Sequence, residues 1–105
     1  MIDKRIEFDE RYDDEEEGTT TLYFTAPKEM LDGDYPEAVS MEISVELPTD
    51  DMEARYASVE FSPTRYVEED DGYEDYDWYD VEMSNEDIEA LIDLARNSGR
   101  FRSIY

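Results

Sequence analysis

The sequence contains neither cysteine nor histidine. The first absence removes disulfides, zinc–thiolate sites and thiol chemistry, and the second removes the commonest general base and metal ligand. Basic residues are scarce as well, at nine against 32 acidic ones, for a formal charge of −23. That is far beyond the magnitude of about 2 to 8 that solubility asks of a small domain. No apolar run approaches the roughly 20 residues of a spanning helix, and the start, Met1-Ile2-Asp3-Lys4-Arg5, leads into charged alternation and not a signal-peptide core. The expected location is therefore the cytoplasm. A chain this acidic is repelled by nucleic acid and by anionic membranes, so its expected partners are basic proteins.

What is present is enough for one core. The 105 residues include four Phe, one Trp and nine Tyr and are read as a single domain, 1–105. A mean hydropathy of −0.86 points toward disorder, but periodicity points the other way. Val39, Met41, Ile43, Val45 and Leu47 alternate with Ser40, Glu42, Ser44 and Glu46, which gives a strand one apolar and one acidic face, ended by Pro48. Ile6 and Phe8 alternate with charged residues, and Thr19 to Thr25 is rich in β-branched and aromatic residues; two strands therefore flank an acidic turn at Asp13 to Gly18. Arg55 to Phe61 predicts a fourth strand, broken at Pro63 and continued over Arg65 to Val67. Tyr73 to Met83 predicts a fifth, and Arg100 to Tyr105 is a candidate edge strand.

Ser84-Asn85-Glu86-Asp87 has the form of a capping box, followed by Ile88, Leu91, Ile92 and Ala95 at helical spacing. Arg96 and Gly99 supply the stop signals. Together these predict an α+β fold, an antiparallel β-sheet of about five strands with one C-terminal helix packed on one face.

Two acidic tracts are the candidate partner-binding residues. The first, Asp9 to Glu17, holds seven carboxylates, and Asp13, Asp14, Glu15, Glu16 and Glu17 are singled out from it; its bland alternative is a solvated loop. The second, Glu68 to Glu82, holds nine carboxylates and no base. Its Glu68, Glu69, Asp70, Asp71, Glu74, Asp75, Asp77 and Asp80 carry charge, while Tyr76 and Trp78 are candidate anchors, because solvation needs no aromatics and a protein-binding surface does. An alternating strand also buries one register, so core roles for these rings stay open. Same-face carboxylates such as Glu42 and Glu46, or Asp75 and Asp77, recur at multiples of roughly 6.8 Å.

No catalytic motif appears, and neither a catalytic residue, a cofactor nor a dedicated metal site is assigned. Asp70-Asp71-Gly72 invites comparison with a calcium loop, but counting back from Gly72 places Val67 where the first ligand belongs. A glycosidase needs a cleft that a small sheet-plus-helix domain rarely offers, and an acidic nuclease would repel its substrate. The chain is therefore read as a binding protein, not an enzyme.

In size, charge, lack of Cys and His, and its two tracts, the chain resembles the small acidic phage-encoded inhibitors that mimic DNA: anti-CRISPR proteins, anti-restriction proteins and uracil-DNA glycosylase inhibitors. The resemblance is compositional, and no binding residue is carried over by it. It implies occupation of the Lys/Arg channel of a nucleic-acid enzyme, such as a host defence nuclease, and exclusion of the substrate. Two alternatives remain open, an acidic adaptor for another basic partner and a salt-adapted domain. Against the latter, adaptation spreads charge evenly, yet Arg96 to Tyr105 holds three Arg and no acid.

Self-repulsion is screened over a Debye length of about 8 Å at physiological salt, so stability is expected to rise with added salt while the chain is already folded at about 0.15 M. Circular dichroism checks this. A coil that folds only above about 2 M would favour salt adaptation.

Overall fold

A computed structural model describes residues 2–31 and 35–99; the candidate edge strand at Arg100 to Tyr105 lies outside them. Among the described residues the chain forms six strands and one α-helix: β1 (Glu7–Asp14), β2 (Thr19–Pro27), β3 (Ala38–Pro48), β4 (Ser58–Val67), β5 (Gly72–Asp75), β6 (Tyr79–Val81) and α1 (Asn85–Asn97). The sheet is antiparallel throughout, in the order β1-β2-β3-β4-β5, with β6 also paired to β4.

Alternation has its direct consequence in the register. Phe8, Phe24, Ile43, Phe61 and Tyr79 are successive cross-strand partners and form one apolar row across the whole sheet. Leu22, Val45, Val59 and Val81 form a second row beside it. The helix closes this face with Ile88, Leu91, Ile92 and Ala95, all buried in the same core. Its start is capped by Ser84, whose Oγ accepts the N–H of Asp87 at 3.2 Å, and its end is followed by Gly99 at φ 78°.

Three expectations are corrected. Val39 does not join the apolar face, because the register shifts between Ala38 and Ser40; the extra residue of that bulge turns Ala38 inward and leaves Val39 47% exposed. The strand read from Arg55 begins only at Ser58, since Ala54–Tyr56 is a 3₁₀ turn, and it then runs unbroken through Pro63 to Val67. Pro63 is tolerated because its carbonyl, which accepts the N–H of Tyr76 at 2.8 Å, faces the β5 and β6 side. A strand residue's nitrogen points the same way as its carbonyl, so the missing donor falls in a gap between those two strands and costs no bond to β3.

That gap is the third correction. The run Tyr73 to Met83 is two strands, not one, because three residues, Tyr76 to Trp78, oppose only Ser62 and Pro63 on β4. The extra residue breaks the alternation. Ser62 Oγ donates to the Tyr76 carbonyl at 2.7 Å and holds the bulge in place.

Leu91 is fully buried, so Leu91→Ala should cost about 2 to 5 kcal/mol in denaturant unfolding. Val39→Ser should stay within about 0.5 kcal/mol of the native protein, as exposed sites do. A large loss at Val39 would contradict the bulge.

Candidate functional site: the acidic outer face of the sheet

The face opposite the helix is built by the other register. One of its rows is Glu10, Tyr23, Ser44, Glu60 and Asp80, cross-strand partners from β1, β2, β3, β4 and β6. Beside it Thr25, Glu42 and Ser62 form a second row, and Thr21, Glu46 and Ser58 a third. Ser40, Thr64 and Asp75 extend the face at its far end. Glu7 stands opposite Thr25, and Asp9, the extra residue of a bulge in β1, accepts a hydrogen bond from Thr25 Oγ1 at 2.6 Å.

Eight carboxylates, those of Glu7, Asp9, Glu10, Glu42, Glu46, Glu60, Asp75 and Asp80, thus share one face. Neighbouring strands lie about 4.8 Å apart and same-face residues along a strand about 6.8 Å. Among the described residues no basic side chain stands in these rows. Arg11 and Arg65 occupy the opposite register, where Arg11 pairs with Asp13 at 2.9 Å and Arg65 with Glu74 at 2.8 Å and Glu37 at 3.4 Å.

The electrostatics follow from this crowding. The Glu42 carboxyl is pushed above its ordinary value, first by burial and then by Asp75, Asp9 and Glu10. Tyr23 is likewise pushed up, first by burial and then by Glu10, Glu42, Glu46 and Tyr12. Glu42 therefore feels carboxylates from both acidic tracts at once. The face is an open array and not a chelating cage: among the described residues no three acidic side chains converge closely enough to hold a metal ion.

The residues singled out from the sequence divide among several places. Asp75, Trp78 and Asp80 lie on the outer face, with Thr64 Oγ1 donating to Asp75 at 2.8 Å and the Trp78 ring edge-on to Tyr23 at 6.3 Å. Tyr76 does not accompany Trp78. The bulge sends it to the helix side, where it meets Tyr35 at 5.2 Å and the Arg65 guanidinium at 5.6 Å, and Tyr35 in turn stacks on Tyr79 of the core row. Glu74 also faces the helix side, neutralised by Arg65. Asp77 is exposed within the bulge.

Glu68, Glu69 and Asp70 form an exposed 3₁₀ turn at the tip of β4 and β5, closed by Asp71 in the left-handed region at φ 47°, and Tyr66 Oη donates to Asp71. At the opposite end and opposite edge of the sheet, Asp14 accepts the N–H groups of Glu16 and Glu17 and shapes the β1–β2 turn, whose Glu15, Glu16 and Glu17 are exposed. Asp13 faces the helix side and accepts from Arg11 and from buried Thr20. The two turns therefore do not meet. The strand portions of the two tracts do, through Glu42.

Glu10, Tyr23, Glu42, Glu46 and Glu60 were not among the residues singled out. Alternation in β3 already placed Glu42 and Glu46 on one face; the strand order that puts Glu10 and Asp75 beside them has no sequence signal. Comparison with protein-family models, with curated proteins and with solved structures finds no match to this chain.

Because the folded state holds the Glu42 carboxyl above its unfolded value, Glu42 stabilises the fold when protonated, and that contribution is lost as pH rises through its folded pKa. Glu42→Gln should therefore melt higher than the native protein at pH 7, with the difference shrinking as pH falls through the carboxylate range. Paired thermal melts at the two pH extremes check it.

Proposed function

We propose that this protein is an acidic nucleic-acid mimic: its outer face occupies the basic nucleic-acid-binding surface of a nuclease or other DNA-binding protein and blocks the substrate. The observation that carries this reading is the collection of carboxylates from β1, β3, β4, β5 and β6 on a single open face with no basic side chain among the described residues. A rigid sheet holds these charges at fixed spacing, so they meet a row of Lys and Arg without first losing conformational freedom. The scale also suits the role. The molecule's longest dimension is 43 Å, a length of duplex carrying about 25 phosphate charges, against a formal −23 here.

The uneven placement of charge supports mimicry over salt adaptation, since Arg11 and Arg65 sit on the helix side, where they are paired, and the rows of the outer face hold no basic side chain among the described residues. Among the described residues no helix is long and apolar enough to cross a membrane. Action in the cytoplasm of a host cell, as for a phage-type inhibitor of a defence nuclease, belongs to this proposal. No chemistry is required of the protein itself; it works by occupancy.

The test is competition. A partner captured from lysate at low salt and released at high salt is purified, and labelled DNA is titrated off it with this protein. Replacing Glu10, Glu42 and Asp75 together by Lys should abolish displacement in a folded protein, whereas the same change at Glu15, Glu16 and Glu17 should weaken it far less. Equal losses would mean that only bulk charge matters. A stable ternary complex with the nucleic acid would favour the adaptor reading.

A further inference from the structure

Charge alone leaves the aromatic side chains of the outer face unexplained. Six large apolar side chains among the described residues are exposed, and three of them, Tyr66, Tyr73 and Trp78, stand on the side of that face where β4 pairs with β5 and β6. Tyr66 and Tyr73 are cross-strand partners two residues beyond the pair Thr64 and Asp75, so they share its outer side. Their rings meet edge-on at 5.5 Å, and Tyr66 Oη is tied to Asp71. Tyr73 is 73% exposed, so a face of its ring is open to solvent. Solubility asks for none of these rings.

Their order matters as much as their exposure. Along the outer side the chain presents Tyr73, Asp75, Trp78 and Asp80, a ring, a carboxylate, a ring and a carboxylate, while Glu74, Tyr76 and Tyr79 turn to the helix side. Regular alternation from Tyr73 would have carried Trp78 and Asp80 to the helix side as well; the extra residue of the bulge returns them to the outer one. Duplex DNA offers a protein its phosphates and the edges of its bases, with the ring faces stacked inside. A single strand offers ring faces and phosphates in alternation, and the grooves that hold it combine Lys and Arg with aromatic side chains on which the bases stack.

We infer that this edge imitates a single strand and docks in a single-strand-binding groove of the partner, with basic side chains opposite Asp75 and Asp80 and aromatic platforms opposite Tyr73 and Trp78. The inference rests on the reading of the outer face as a nucleic-acid mimic and adds the class of nucleic acid that is excluded. Charge complementarity sets the basic half of that groove, since no basic side chain stands in the outer rows among the described residues. The open rings set its aromatic half, because an aromatic pair is worth more than the area it buries.

Two dye-labelled peptides stand in for such a groove, Lys-Lys-Phe and Lys-Lys-Leu each repeated three times, equal in length and charge. They are titrated with the protein at one salt concentration and followed by anisotropy. Trp78 is the single tryptophan and neither peptide carries one, so its emission reports whether the peptide reaches this edge. The phenylalanine peptide should bind about threefold more tightly. Tyr73→Leu together with Trp78→Leu should bring the two affinities together without weakening the leucine peptide, whereas Tyr56→Leu, away from the outer face, should preserve the ratio. Should the double variant fail to fold by circular dichroism, Tyr73→Leu alone, at the most exposed ring, should lower the ratio. In a second arm, labelled oligothymidylate of about 12 nucleotides and a duplex of the same length are each titrated off the partner purified for the competition test. The protein should displace the single strand, and the double variant, unchanged in charge, should displace it less.

Equal affinities for the two peptides, a preference that survives in the folded variants, or displacement of the duplex alone would overturn the inference and leave mimicry standing. Displacement of neither nucleic acid overturns the mimic reading, and this inference with it.

Discussion

Everything in this molecule depends on burying one face of an antiparallel sheet under a single helix. The row Phe8, Phe24, Ile43, Phe61 and Tyr79 and the helix residues Ile88, Leu91, Ile92 and Ala95 are the attractive side of the balance. Each fully buried large apolar side chain contributes about 1.5–3 kcal/mol. Two carboxylates 6.8 Å apart in water repel by only about 0.6 kcal/mol before salt screening. A core of this kind can therefore carry an acidic face, and the acidic face can be as dense as it is because the apolar one is complete.

The same division sorts the charges. On the helix side the acids near the sheet's edges have partners: Asp13 has Arg11 and Thr20, and Glu74 has Arg65. On the outer side Asp9 and Asp75 accept hydrogen bonds from Thr25 and Thr64, which orient the charge without cancelling it. Orientation without neutralisation is what the proposed binding role of this face would require. The half-buried Glu42 carboxyl is raised first by burial and then by Asp75, Asp9 and Glu10.

Three local irregularities then decide what the two faces present. The bulge at Asp9 turns Arg11 and Asp13 toward the helix side and leaves Glu10 beside Tyr23. The bulge at Val39 exposes that residue and buries Ala38. The bulge at Tyr76 to Trp78, opposite a proline with no N–H to give, separates two aromatics that a regular strand would have kept on one side. Each inserts one residue, and one residue is enough to exchange the faces of everything that follows it.

Much was legible from the residues in order. Period-two alternation in β3, the threonine-rich β2 after an acidic turn and the Ser84 cap before a 3.6-residue pattern are local signals, and local signals determined the α+β class, the acidic outer face of β3 and the helix with its buried stripe. Bulges are not local in that sense, since an extra residue is defined only against the partner strand, so the sequence around Val39 and from Tyr73 to Met83 has the pattern of regular strands. Strand order is less local still. That Glu10 and Asp75, 65 positions apart in the chain, both press on Glu42 follows from β1 and β5 lying on either side of the central strands, and only tertiary pairing decides it. The sequence by itself determined that the protein would be acidic and two-faced; the fold decided which acids stand together, because electrostatic neighbourhood falls off with distance through space and not with separation along the chain.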